Sequence, residues 1–447
     1  MSSNTSALLT DLYQLTMLQG YFDEGMEQTA VFEFYIRKKP PQRNFFIAAG
    51  LEQLLLYLEQ LELSPDELEW MAGTGRFSRG FIDYLSRLRF TGDVDAMPEG
   101  TIFFPNEPIV RVTAPLPQAQ LIETRLINLL HFQTLIASKA ARSVLAAPGK
   151  LLIDFGLRRA HGAEAGLMAA RAAYLAGFAG TSNVLAEYLY GIPAYGTMAH
   201  SFIQAHDDEA DAFIQFAHAQ PNNVVLLLDT YDTEAAAAKV VSIAPRLKSA
   251  GIEIKGVRLD SGDLGEHAKK VRKILDEGAL PEVKIWASGT LDEYLLRDLL
   301  ASGAPIDGFG VGTRLDTSAD APYLDCAYKL QEYAGRARRK RSEGKATWPG
   351  PKQVYRRSGA DGGWTEDLLT LIEEDDRPEG EALLQPVMRG GKRLTPAPSF
   401  TEIRKRVTDQ IARLPEPMKR LEEAPPYPVR LSAALQQLAR EVDERSR

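Results

Sequence analysis

The spacing of apolar positions changes character twice along the chain. In the first 117 residues helical and strand-like periods mix without regular alternation. Residues 7–20 read as an amphipathic helix, residues 29–37 (TAVFEFYIR) alternate as a strand, and residues 51–63 form a leucine-rich helix. Residues 90–115 break into short strands punctuated at Pro98, Pro105 and Pro115, a small β-rich lobe. From residue 118 the order becomes regular. A long helix-periodic stretch to residue 147 leads through Pro148 and Gly149 into an apolar strand at 150–155. Helices at 163–178, 207–218 and 233–249 then alternate with strands at 194–197 and 224–229. Three more strands follow in IEIKGVRLDSGDL, VKIWASGTLDEY and IDGFGVGTRL, each ending in a small, polar, glycine-bearing turn. After Asp320 the alternation is gone. Residues 334–400 are rich in glycine, proline and charge, and amphipathic helices at 400–413 and 429–444 end the chain.

Strand-then-helix alternation over this length predicts parallel strands with crossover helices, and a closed or nearly closed barrel is the economical arrangement. The expected fold class is α/β, an irregular TIM-like barrel over residues 118–330. In such a barrel the C-terminal strand ends share one face, where these folds place their ligands.

Composition narrows the partners. The 447 residues suffice for two or three domains, and 45% hydrophobic with 25% charged residues is ordinary for a globular chain. A net charge of −8 argues against general nucleic-acid binding, and the basic run from Arg336 to Arg341 reads as a solvated loop. The single cysteine, Cys326, excludes an intrachain disulfide framework and a cysteine zinc cluster, and fits a reducing cytoplasm. It lies in the apolar run YLDCAYKL and reads as a small core residue. No signal-peptide pattern and no apolar run near 18 residues is present, so a membrane span is not expected.

The chemistry gathers at the strand ends: Asp154 to Arg159, Gly196 to His200, Asp229 to Asp232, Arg258 to Asp263, Ser288 to Thr290, and Gly310 to Arg314. A barrel core is filled by the apolar residues behind these tips and has no need of their polar groups. Gly262, Gly289 and Gly312 lack the Cβ that would block an anion from the backbone N–H groups. A phosphorylated, polyhydroxylated substrate is implied. Ser288, Gly289 and Thr290, with Gly310, Gly312 and Thr313, suit a phosphate; the alternative is an ordinary turn with Ser288 or Thr290 as helix cap. Asp260 and Asp263 suit ribose hydroxyls or a hydrated Mg²⁺, with helix capping the alternative for Asp263. Phe155 beside Arg158 and Arg159 suits a flat anionic ring, against a core phenylalanine with two surface arginines. His200, after a Gly-Thr turn, suits a base or phosphoryl acceptor, against a structural histidine. Asp207 and Asp208 are explained as helix cap and dipole partners rather than metal ligands.

These strings, with Thr10, Asp11, Leu12, Tyr13, Gln14, Leu15, Thr16 and Met17 near the start and Gly180, Thr181, Ser182 and Asn183 between, occur in the order seen in nicotinate phosphoribosyltransferases. The chain resembles that family over residues 5–330. The resemblance implies transfer of phosphoribose from 5-phosphoribosyl-1-pyrophosphate to nicotinate, giving nicotinate mononucleotide and pyrophosphate in NAD salvage. It also implies coupled ATP hydrolysis through a phosphohistidine at His200. The implied fold adds an α+β domain assembled from N- and C-terminal segments, with domains at 1–117, 118–330 and 331–447, the last helical and packed on the first. A cytoplasmic homodimer with a shared active site is implied, Asp11 and Tyr13 of one subunit reaching the other's site.

Under the resemblance, Phe155 and Tyr13 sandwich the pyridine ring while Arg258 with Arg158 or Arg159 neutralises its carboxylate. Asp260 holds ribose hydroxyls, and Ser288, Gly289, Thr290, Gly312 and Thr313 take the 5-phosphate. Thr197, Asp229, Asp263 and Gly310 complete the expected substrate contacts. No metal site built by protein alone is expected; Mg²⁺ enters with the pyrophosphate, Asp260 being the candidate protein contact. Nicotinamide-using relatives carry aspartate at the place of Ser182, and an acidic residue there would repel a carboxylate. The competing readings are a relative acting on nicotinamide or quinolinate, and a non-catalytic nucleotide-binding protein on the same scaffold. A Schiff-base aldolase is disfavoured because Lys255 and Lys284 lie inside strands.

Overall fold

Parallel strands covered by helices are buried on both faces, and Val224–Leu227 and Gly308–Val311 are buried throughout. The computed structural model describes residues 6–374 and 378–445. It divides into two compact units, Lys139–Pro322 and the pair of segments Met1–Ser138 and Tyr323–Arg447.

In the first of these units, six strands lie in the order Gly180–Thr181, Leu151–Asp154, Gly308–Val311, Lys284–Ala287, Ile254–Leu259 and Val224–Leu227. Every ladder between them is parallel. The α/β class is borne out, as a curled half-barrel. The strand expected at 194–197 shrinks to one parallel bridge between Thr181 and Ala194. Pro193 brings no N–H to a ladder, and the chain then leaves the sheet, Gly196 O accepting from Asn223 Nδ2 at 3.0 Å. Helices begin at the strand tips under acidic caps. Asp232 accepts from Ala235 N at 2.7 Å at the head of Thr233–Ser249, and Asp292 accepts from Leu295 N at 2.9 Å ahead of Glu293–Ala301.

The interior of the half-barrel holds two aromatic rings in place of the usual branched side chains. Glycine makes the room. A Cβ on Gly308 would lie 2.5 Å from the Trp286 ring, and one on Gly310 would lie 2.3 Å from the Phe155 ring. Both are closer than carbon atoms can approach.

The other unit is built from both ends of the chain. Its seven-stranded sheet runs Arg336–Ala337, Asp325–Tyr333, Thr29–Lys38, Pro108–Pro115, Asp93–Ala96, Gln385–Arg389 and Lys392–Arg393, antiparallel throughout. A second sheet orders Glu381–Ala382, Lys352–Ser358, Trp364–Leu371 and Val429–Leu431. The helical character expected of residues 331–447 is therefore corrected: β-structure dominates up to residue 393, with Phe400–Arg413 and Ala433–Arg445 as its long helices. Period-2 patterning is masked there because several strands are two residues long and buried positions of the longer ones carry charge, Lys352, Arg356 and Asp367 among them. The units part after residues 138 and 322 rather than 117 and 330. Asp325–Tyr333 pairs with Thr29–Lys38 and so belongs to this sheet. The basic run is tied to the C-terminal helix, Arg339 Nη1 lying 3.0 Å from Asp443 Oδ2. Cys326 sits half-buried on the Asp325–Tyr333 strand, its thiol pushed up to about 11 by burial.

Candidate functional site

Because all six strands of the half-barrel point the same way, their C-terminal ends converge. A cavity of about 380 Å³ opens there, walled by Phe155, Arg158, Ser182, Thr197, His200 and Arg258, with Asp260 at its margin. A second cavity of about 240 Å³ adjoins it, lined by Arg159, Ser288, Gly289, Thr290, Gly312 and Thr313. Phe155, Arg158 and Asp260 line both. The two cavities thus meet at an aromatic ring, a guanidinium and a carboxylate.

Phe155 follows its strand directly, and its N–H donates to Val311 O at 2.8 Å. The ring leans over Gly310, which also lines the second cavity. Arg158 and Arg159 are exposed on the short 3-10 turn that follows. Ser182 is held by its own N–H, which donates to Asp154 O at 2.7 Å.

Arg258 is anchored at one end only. Nη1 donates to Thr197 Oγ1 at 2.8 Å and Nη2 to Met198 O at 3.0 Å, while Nε is buried with no partner. Burial lowers its pKa from the ordinary guanidinium value; the Asp260 and Asp229 carboxylates oppose that, and Arg158 adds to it. A half-buried cation on the cavity wall is prepared for an anion.

His200 begins the short helix His200–Gln204, and its Nδ1 lies 3.1 Å from Thr230 Oγ1. Asp229 lines neither cavity. Its Oδ2 accepts from Asp260 N at 3.1 Å and from Ser261 Oγ, so it shapes the loop that presents Asp260, and its buried Oδ1 has no partner. Asp260 Oδ1 in turn accepts from Ser288 Oγ.

The structure decides the alternatives left open by the sequence. Asp263 caps Leu264–Glu277, accepting from Glu266 N at 3.1 Å, and lines neither cavity. Ser288 and Thr290 are released from capping, because Asp292 holds that position, and both face the second cavity. Gly289 takes φ +118°, where any Cβ would lie 2.7 Å from Asp260 O. Arg314 pairs with Asp292. Asp11 and Tyr13 belong to the other unit. There Asp11 Oδ2 accepts from Thr124 Oγ1 at 2.8 Å, and Tyr13 is 48% exposed.

Sequence reasoning missed Tyr195 and Trp286. Tyr195 lines the first cavity and, with Trp286, a third of about 460 Å³ inside the half-barrel. Tyr195 sits between a proline and a Gly-Thr tip, a signal hidden by reading 194–197 as a strand.

The site can hold a flat anionic ring on Phe155 against Arg258, next to a phosphate in a cradle of glycine N–H groups and hydroxyls. Comparison with known proteins agrees. Residues 8–131, 151–341 and 377–439 match the nicotinate phosphoribosyltransferase N-terminal domain, family and C-terminal domain respectively. The chain is 48% identical over 431 residues to nicotinate phosphoribosyltransferase pncB2 of Mycobacterium tuberculosis, covering 96% of this chain and 92% of that protein. It is 37% identical to nicotinate phosphoribosyltransferase of Bacillus subtilis, covering 95% and 93%. The crystal structure of human nicotinic acid phosphoribosyltransferase superposes with a TM-score of 0.87 at 31% identity, covering 97% of this chain and 99% of that one.

Proposed function

This chain belongs to the nicotinate phosphoribosyltransferase family, and from that premise we propose how its strand ends join nicotinate to phosphoribose for NAD salvage. One observation carries the reading: the two cavities share Phe155, Arg158 and Asp260. Nicotinate stacks on Phe155 with its carboxylate on Arg258 and Arg158. The 5-phosphate sits on Ser288, Gly289, Thr290, Gly312 and Thr313. The shared wall is where the ring nitrogen meets C1 of the ribose. The nitrogen lone pair forms the new bond to C1 as the C1–oxygen bond breaks, and its electron pair leaves with pyrophosphate. Positive charge develops at C1, and Asp260 stands where it is stabilised.

The oxygen donors offered here suit Mg²⁺. Asp260, which lines both cavities, offers a hard carboxylate ligand, and no cluster of three metal-binding side chains occurs among the described residues. Asp260 would supply a carboxylate to an ion carried in by the pyrophosphate, and that ion would neutralise leaving-group charge.

ATP couples through His200. In the tautomer whose Nδ1–H donates to Thr230 Oγ1, the Nε2 lone pair is free to attack the terminal phosphorus of ATP. The phosphorus–oxygen bond to ADP breaks as the phosphorus–nitrogen bond forms, and water later cleaves the latter to phosphate. A phosphate on His200 shares a wall with Arg258.

The substrate preference has a direct test. Ser182 lines the acceptor cavity without charge. Ser182→Asp is expected to lower kcat/KM for nicotinate by about 100-fold or more and to raise that for nicotinamide, through repulsion of one carboxylate by another. Product formation from each pyridine, with and without ATP, measures this; wild-type turnover of nicotinamide or quinolinate but not nicotinate overturns the reading.

The homodimer also rests on exposed groups. Val184, Leu185, Tyr188 and Leu189 project from the helix Val184–Tyr190, 50–83% exposed, directly after Ser182. We assign this apolar face to a second copy, which brings Asp11 and Tyr13 to its neighbour's site. Mixing Tyr13→Ala and Phe155→Ala proteins, each strongly impaired, is then expected to restore up to about one quarter of wild-type activity, through dimers carrying one intact site. No recovery from mixed subunits shown to exchange rules out the shared site.

A further inference from the structure

Beneath the acceptor cavity lie two carboxyl groups that the reaction does not use. Asp154 and Asp316 are 0% and 1% exposed. Asp154 Oδ1 accepts from Gly156 N and Oδ2 from Thr181 Oγ1, each at 2.7 Å, while its carbonyl accepts from Ser182 N, also at 2.7 Å. One residue thus holds the loop that starts at Phe155 and the turn that carries Ser182. Thr181 Oγ1 extends the chain by accepting from Asn183 N at 3.1 Å.

Asp316 closes this arrangement from the short helix Thr313–Asp316. Its carboxyl occupies the space that a side chain on residue 156 would fill, a Cβ there lying 2.2 Å from the carboxyl carbon. Neither Asp316 oxygen meets an N–H or ordinary O–H donor; what they face is the Asp154 carboxyl. The elements packed on this helix, Leu157–Arg159 and Ala163–Leu175, carry Arg158, Arg159, Glu164 and Arg171. Arg314, on the helix itself, is engaged with Asp292. The one charge that bears on Asp316 is that of Asp154. Two ionised carboxylates in contact, both out of water and without a cation, are strongly unfavourable.

We propose that Asp154 and Asp316 are positioning residues of the acceptor site, joined by one shared proton so that a neutral Asp316 O–H donates to the Asp154 carboxylate and locks Phe155, Gly156 and Ser182 in place. Burial first, and the Asp154 charge second, push the Asp316 carboxyl well above the ordinary range, in keeping with a proton held at neutral pH. The free lone pairs of Asp154 accept this bond while the others serve Gly156 and Thr181. The pair holds the acceptor half of the site directly; of the phosphate cradle, Gly312 and Thr313 adjoin it at the head of the same short helix, while Ser288, Gly289 and Thr290 follow another strand. This inference rests on the placement of nicotinate against Phe155 and Ser182.

Asp316→Asn keeps a donor to Asp154 without a titratable proton, and Asp316→Ala removes it. The Asn variant is expected within about threefold of wild type in every constant, and the Ala variant to show a KM for nicotinate raised about tenfold, with KM for phosphoribosyl pyrophosphate raised about threefold or less, as loss of one charge-assisted hydrogen bond predicts. Infrared difference spectra between wild type and Asp316→Asn are expected to show the stretch of a protonated carboxyl at neutral pH. Absence of that band overturns the shared proton, even if the Ala variant does not fold. Equal KM changes for both substrates, or an Asn variant as impaired as the Ala variant, overturn the positioning role. Phe155→Ala separates the two readings: an unchanged KM for nicotinate removes the ring assignment, while the infrared band still reports on the pair.

Discussion

Arg258→Met is expected to lower kcat/KM for nicotinate by about 100-fold, mostly through KM, since a contact to the carboxylate is made in ground and transition state alike. That factor corresponds to about 3 kcal/mol, the scale of a buried charge pair that loses one partner. Methionine keeps the length of the stem and removes every N–H. Thr197 Oγ1 and Met198 O lose their donors at the same time, so the segment leading to His200 loosens and ATP stimulation falls as well. Arg258→Lys is expected to recover about tenfold of the loss, because an ammonium restores charge but not the fork that spans Thr197, Met198 and the substrate. Steady-state constants for both substrates, with and without ATP, report this. A methionine variant whose KM for nicotinate stays within threefold of wild type removes Arg258 from the carboxylate.

His200→Ala is expected to abolish the effect of ATP while leaving the ATP-free reaction within about threefold of wild type, since the imidazole has no part in bonding at C1. ADP release in the presence of both substrates should cease. Protein-bound phosphate from terminally labelled ATP, stable to alkali and lost in acid, should vanish with it. Structural cost is small: Thr230 Oγ1 loses one hydrogen bond at a partly open position, worth about 1 kcal/mol. Retention of full ATP stimulation by a folded His200→Ala protein refutes the phosphohistidine. Loss of basal transfer as well would instead place His200 in the transfer step.

Much of the half-barrel was legible because its signals are local. The stretch 233–249 shows a helical apolar period that carries through Pro245 and is observed as a helix over Thr233–Ser249. The glycine-bearing turns at 262, 289 and 312 announce strand ends because few other residues suit such turns. The C-terminal segment reads as helical because its helices are amphipathic while its strands carry many charges and are separated by glycine-rich turns. Strands such as Lys352–Ser358 gain their order from partners as distant as Glu33, whose carboxylate accepts from Lys352 N at 2.8 Å. The buried positions of that strand are Lys352, Val354 and Arg356, so burial alternates while the apolar period is hidden by charges that Glu33 and Asp367 partner.

The linear order of residues by itself determined the chemistry offered at each strand tip: an aromatic beside arginines, a histidine after Gly-Thr, and glycines beside hydroxyls. Side-chain type and backbone freedom are properties of the residue and its neighbours. Tertiary structure decided which tips share a cavity and which groups are spent elsewhere. Asp263 is consumed as a helix cap and Arg314 by Asp292, while Asp260 and Arg258 remain turned to the site. It also placed Asp316 against Asp154, 162 positions apart in the sequence. Burial and proximity turn identical carboxyl groups into a cap, a substrate contact or a shared-proton pair, and both are set by the fold rather than by neighbours along the chain.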